Sequence, residues 1–130
     1  MGVRFPSVFT STPIAAPPAS GAETVYASTP ALTLPIDSAS VILVCSAALT
    51  VGTGTTSYNW ALRRGLTVND VLVTAMSNIV ATAGNITLIT CMFVDVSPPA
   101  GMFFYSFSIR GNGTTAAWTS GSVGLLAFAL

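Results

Sequence analysis

The side chains that could do chemistry in this 130-residue chain are few: the carboxylates of Glu23, Asp37, Asp70 and Asp95, four arginines, and the thiols of Cys45 and Cys91. There is no histidine, so the usual general base near neutral pH is missing. Two carboxylates are enough for glycoside hydrolysis, but these four are dispersed. Asp37 and Asp70 stand where side chains close turns or cap short segments. Calcium needs clustered oxygen ligands, and no acidic run of that kind occurs. Gly52-Thr53-Gly54 lacks the lysine and following helix of a phosphate loop and reads as a hairpin turn. Cys45 and Cys91 lack the spacing of a zinc site. Each lies in an apolar run, as a small buried core residue would; a disulfide between facing strands is the other reading, and geometry decides it. The residues therefore point to a non-enzymatic chain with no catalytic, metal-binding or cofactor-binding position.

Composition points the same way. A soluble domain carries roughly a quarter of its residues as charges; here the share is 6%, with a formal net charge of zero. Little on such a surface keeps copies apart, so self-association is favoured. Arg63 and Arg64 are the only basic pair, far short of a phosphate-binding groove, and nucleic acid is not an expected partner. No apolar stretch approaches the 18 residues of a membrane helix, and Pro6 and Pro13 interrupt the N-terminal segment where an export signal would need a continuous apolar run. No membrane is expected either. Asn85-Ile86-Thr87 and Asn112-Gly113-Thr114 match the glycosylation sequon, which matters only in a eukaryotic secretory route.

The elements that position these residues read as β-strands. Ser57–Arg64 alternates, with Tyr58, Trp60 and Leu62 on one face. Glu23–Leu34, limited by Pro30, Val41–Leu49, Asp70–Met76, Asn85–Val96, Met102–Arg110, Thr114–Thr119 and Val123–Leu130 complete about eight strands. Turn residues separate them, including Gly111-Asn112-Gly113. This spacing predicts an all-β antiparallel sandwich or jelly roll over 23–130. Residues 1–22, rich in proline and small side chains, predict an extended arm.

The aromatic residues Tyr58, Trp60, Phe103, Tyr105, Phe107 and Trp118 alternate as core residues do. Phe93 and Phe104 lie on the opposite parity and are candidates for a contact surface. So are Val3, Phe5, Val8 and Phe9, too apolar for a solvated tail. The closing strand is apolar on both faces, so both must be covered, which adds Leu126, Phe128 and Leu130.

Three segments together resemble small β-sandwich structural proteins of tailed bacteriophages: Trp60-Ala61-Leu62-Arg63-Arg64-Gly65; Ser97-Pro98-Pro99-Ala100-Gly101 leading into Tyr105-Ser106-Phe107-Ser108-Ile109; and Gly124-Leu125-Leu126-Ala127-Phe128-Ala129-Leu130. The ending is also similar to the last strand of trimeric jelly rolls of the tumour-necrosis-factor and complement-head type. The resemblance covers about residues 24–130 and leaves out the arm. It implies a virion structural role at the capsid surface, as a decoration or cementing homotrimer contacting the major capsid protein or other virion subunits. It carries over no binding residue. Two other functions fit the composition. A receptor- or glycan-binding tail-fibre knob predicts Trp118 and Tyr58 exposed at loop ends, and a self-assembling extracellular filament would use the N-terminal segment as a donor.

Overall fold

A computed structural model of the chain describes residues 6–14, 17, 18, 21–34, 40–74, 76–96, 98–112 and 118–130. Among these residues eleven strands are formed: β1 (Ser7–Pro13), β2 (Glu23–Ser28), β3 (Leu32–Leu34), β4 (Ser40–Val51), β5 (Thr55–Arg64), β6 (Val71–Leu72), β7 (Ser77–Thr82), β8 (Ile86–Val96), β9 (Gly101–Phe103), β10 (Tyr105–Asn112) and β11 (Trp118–Ala129). They build a four-stranded sheet in the order β1-β11-β4-β8 and a five-stranded sheet in the order β2-β10-β5-β6, with β7 also on β5. A small ribbon pairs β3 with β9, and every pairing is antiparallel.

The all-β sandwich is the architecture the alternation predicts, with more strands than expected. Glu23–Leu34 divides at Thr29-Pro30 into β2 and β3, because proline cannot donate to a ladder. Met102–Arg110 divides at Phe104, whose carbonyl turns to accept from the Gly65 amide at 2.7 Å. Of Asp70–Met76 only Val71–Leu72 pair, against Arg64 and Arg63. Residues 114–117 fall outside the described positions, while Trp118 and Thr119 open one long strand that runs on to Ala129. Gly52-Thr53-Gly54 is not a hairpin turn: β4 lies in one sheet and β5 in the other, so the glycines carry the chain across the sandwich. Gly111 and Asn112, expected in a turn, end β10. Within the expected arm, Ser7–Pro13 is a strand paired along its whole length with β11 of the same chain.

The core fills the space between the sheets. From β4 and β11 come Val41, Leu43, Leu49, Val123 and Leu125, all essentially inaccessible. From the facing sheet come Tyr58, Leu62, Tyr105, Phe107 and Ile109. Trp60 sits between the layers, its ring 6.2 Å from both Phe93 and Phe107. The aromatic residues read as core are core: five of the six are buried, and Phe103 packs against the cluster.

One turn depends on the absence of a side chain. Gly65 follows β5 with φ of +141°, and a Cβ there would lie 2.2 Å from the Asp70 carboxyl. That carboxylate is committed: Asp70 Oδ2 accepts from the Thr67 amide at 2.8 Å and from Thr67 Oγ1 at 3.0 Å. Gly65→Ala should therefore combine backbone strain with loss of the turn, lowering stability by about 1–3 kcal/mol. A shift of the urea midpoint with unchanged slope would show it; an unshifted midpoint would mean the turn relaxes freely.

Candidate assembly face

Polar side chains join the two layers at both ends of the sandwich. At one end Arg64 of β5 meets Asp95 of β8: Nε donates to Oδ2 and Nη2 to Oδ1, each at 2.7 Å. Tyr105 Oη also donates to Asp95 Oδ2, at 2.8 Å. The Asp95 bond holds the Arg64 guanidinium above its ordinary range, and burial followed by the Asp95 bond pushes the Tyr105 phenol upward. At the other end Trp118 Nε1 donates to Tyr58 Oη at 2.9 Å. Tyr26 packs on the same indole, ring centres 5.3 Å apart, and burial pushes its phenol up to about 12. Trp118 and Tyr58 are thus buried structural partners, contrary to the exposure a sugar-binding knob required of them.

The outward face of the five-stranded sheet carries polar and charged side chains, with exposed Val80 and Leu72 at its β7 and β6 margin. Arg63 donates through Nε and Nη2 to the two Glu23 carboxylate oxygens, each at 2.9 Å, and through Nη1 to the Asp70 carbonyl at 2.7 Å. Ser108 Oγ donates to Glu23 at 2.7 Å, and Asn112 Nδ2 to Asn59 Oδ1 at 3.1 Å. Arg110 is exposed on the same face.

The outward face of the four-stranded sheet is the opposite in character. The registers align its side chains in rows across the strands: Ser7, Phe128, Ile42 and Val94; then Phe9, Leu126, Val44 and Met92. Further along come Ser11, Gly124, Ser46 and Thr90, and then Pro13, Ser122, Ala48 and Leu88. Ile86, Leu88, Met92 and Val96 of β8 are 71, 67, 68 and 70% exposed, and Phe9 of β1 is 59% exposed. No charged side chain stands in these rows. One end of the face is bulky and the other is built of small residues. At the small end Ala48, Thr50, Ile86, Ser120, Gly121 and Ser122 line a shallow hollow of about 200 Å³.

The size of this face sets it apart. Four strands at about 4.8 Å spacing and about eleven residues at about 3.3 Å rise give a footprint of roughly 700 Å². The bulky apolar end takes about half of that footprint, and a standard interface takes about 800 Å² from each partner.

The expected contact residues fall in several places. Phe9, Leu126 and Phe128 share this face. Leu130, half exposed, follows β11, its amide donating to the Ser40 carbonyl at 2.9 Å. Val8 and Phe93 turn inward and pack against the core, Phe93 edge-on to Trp60. Phe104 is half-buried between β9 and β10, away from the face. Val3 and Phe5 lie outside the described residues. Sequence reasoning missed the outer row of β8 and, beside it, Ile42 and Val44 of β4. Ile86, Leu88, Met92, Val94 and Val96 share one strand face by their spacing, but Ile89, Cys91 and Phe93 make the other face apolar too, so parity alone did not say which turns outward.

No family model matches the chain, and no curated protein matches it. Solved structures do. The structure of infectious bursal disease virus strain Gx matches with a TM-score of 0.61 at 14% identity, over 98% of this chain and 32% of that chain. The VP2 subviral particle of the same virus matches with a TM-score of 0.59 at 14% identity, over 98% and 33%. The fold is a jelly roll. The chain spans about a third of the length of those viral chains. The globular domain of zebrafish complement 1qA aligns with a TM-score of 0.49 at 8% identity, over 96% of each chain. In this jelly roll the bulky rows and the hollow occupy one continuous sheet face, and the ion pairs lie inside the sandwich or on its opposite side.

Proposed function

We propose that this jelly roll is a non-enzymatic structural subunit that associates with further copies of itself through the outward face of the β1-β11-β4-β8 sheet. The assembly is a homotrimer, and its role is that of an accessory virion subunit at the capsid surface. There it decorates or cements the shell through contacts with the major capsid protein or other virion subunits. The observation that carries this reading is the charge-free apolar face, matched in size to one side of a standard interface. At about 25 cal/mol per Å², covering the bulky apolar half of the face, roughly 350 Å² on each of two partners, stabilises by roughly 15–20 kcal/mol before costs. Association costs of roughly 4–15 kcal/mol stand against that.

A second copy is the fitting occupant. An uncharged face offers a charged partner nothing to pair with, whereas two copies meet without repulsion or unpaired charge. Three copies rather than two follow from the likeness of the closing strand to trimeric jelly rolls. The capsid placement draws on the loose phage-like motifs, and on the occurrence of this fold in the chain of a viral particle. The non-enzymatic reading is supported by the acids themselves: Glu23 and Asp95 are held by arginines, and Asp70 by Thr67.

Sedimentation velocity on the purified chain tests the assembly. The expected mass is that of three 13.3 kDa chains, unchanged between low and high salt because no surface charge contributes. A monomer at every concentration, or an assembly that salt dissolves, would overturn the proposal.

A further inference from the structure

The chain has two cysteines, and the β4–β8 register sets them directly opposite each other, Cys45 facing Cys91 in an unbroken ladder from Ser40–Val96 to Thr50–Ile86. Both are free thiols on the inward side of the sheet. Directly opposed residues in an antiparallel pair have Cα atoms about 4.5 or 5.5 Å apart, and both separations lie within the range of about 4.4–6.8 Å that a disulfide spans. Directly opposed Cβ atoms lie about 4.5–5.5 Å apart, so a small local closing of the ladder brings the pair into the Cβ range of about 3.5–4.5 Å that a disulfide needs.

The two thiols are unequal. Cys45 is fully buried in the middle of the sheet. Cys91 is half-buried on the edge strand β8, where a small reagent can reach it. A hydrogen bond to Cys91, and then burial, push the Cys45 thiol far up; the same bond holds Cys91 below the ordinary thiol range. Reactivity follows thiolate character and access, so Cys91 is placed to attack first and Cys45 to resolve.

We propose that Cys45 and Cys91 are a redox pair that closes into a cross-strand disulfide when the folded chain meets a small disulfide oxidant such as oxidised glutathione. The Cys91 thiolate attacks one sulfur of the oxidant, forms a mixed disulfide and releases one glutathione thiolate. Cys45 then loses its proton and attacks the Cys91 sulfur, expelling the second glutathione thiolate. Two protein thiols are oxidised, one glutathione disulfide is reduced, and the two protons end on glutathione. The bond staples the edge strand β8 to its neighbour and closes a loop containing β5, β6 and β7. It is independent of the assembly proposed above, because both sulfurs point away from the outward face.

The test treats the folded, full-length chain with oxidised glutathione, then unfolds and alkylates it before intact-mass measurement. The expected product is lighter than the reduced chain by two hydrogens, takes no alkylating groups, and melts about 10 °C higher. Cys45→Ser should stop at a single glutathione adduct on Cys91, and Cys91→Ser should take up none. Two alkylated cysteines after treatment of folded protein would overturn the proposal. So would disulfide-linked dimers on a non-reducing gel. Both are read on the unmutated chain, so a serine variant that fails to fold does not remove the test.

Discussion

Leu126→Asp should convert the assembled protein to monomers while leaving the jelly roll folded. Leu126 lies in the bulky part of the outward face, between Phe9 of β1 and Val44 of β4. In the isolated subunit it is partly buried on the outward side of the sheet, where a carboxylate still reaches water and costs the fold less than in the core. In the assembly the same carboxylate loses its water, and no cation stands in the surrounding rows to receive it. A buried, unpaired charge costs several kcal/mol, and symmetry repeats that cost in every copy. Association should weaken by about 1,000-fold or more, equivalent to about 4 kcal/mol. Sedimentation velocity with circular dichroism distinguishes loss of assembly from loss of fold. Arg110→Ala, on the polar face of the other sheet, serves as the comparison and should leave the mass unchanged. If Leu126→Asp keeps the wild-type mass and spectrum, the face is not the interface.

Asp95→Ala is expected to be the most destabilising single change among the polar residues. One carboxylate receives two guanidinium hydrogen bonds from Arg64 and one from the Tyr105 phenol. The side chains of the ion pair are only 17% and 8% exposed, with Arg64 the more open of the two. Truncation strands a guanidinium inside the end of the sandwich and orphans a buried phenol, and breaking such a pair costs about 3–5 kcal/mol. Urea unfolding measures it; a loss under about 1 kcal/mol would mean that water replaces the carboxylate. The pH dependence has a definite sign. Because the Tyr105 phenol is displaced upward, its contribution is fully present below the ordinary tyrosine range. It is lost as pH rises through the displaced value. The Tyr105 share of the gap between wild type and Asp95→Ala should therefore be lost under strongly alkaline conditions.

Local pattern carried the strands whose two faces differ in chemistry. Tyr58, Trp60 and Leu62 against Asn59, Ala61 and Arg63 defined β5 and its buried side without ambiguity. β8 was legible as a strand but not in its orientation, because both parities are apolar. Its one acid, Asp95, faces inward, against the usual expectation for a charge, and with it goes Phe93. β1 was hidden for another reason. Pro6 precedes it and Pro13 ends it, and on an edge strand of seven residues neither proline removes a hydrogen bond the sheet needs. The pairings that matter most are non-local. Glu23 finds Arg63 across 40 residues and Asp95 finds Arg64 across 31. Cys45 and Cys91 meet only because β4 and β8 pair in one register of several that their apolar sequences allow. The turn at Gly52–Gly54 shows the same limit, since glycine content marks a change of direction but not the sheet the next strand will join.

The order β1-β11-β4-β8 also governs when the molecule can come into being. Among the described residues β1 pairs only with β11, and β11 follows every other described strand in the sequence. During synthesis at about 5–20 residues per second, the roughly 100 residues between them keep Ser7–Pro13 waiting for about 5–20 s. Once β8 has emerged, and until β11 follows, β4 has β8 on one side and an open edge on the other. A ribosome-bound chain of this design presents unpaired, nearly uncharged strands until β11 emerges. Its yield in the cell should depend on translation rate and on chaperones that hold extended apolar segments, more than on the stability of the finished jelly roll.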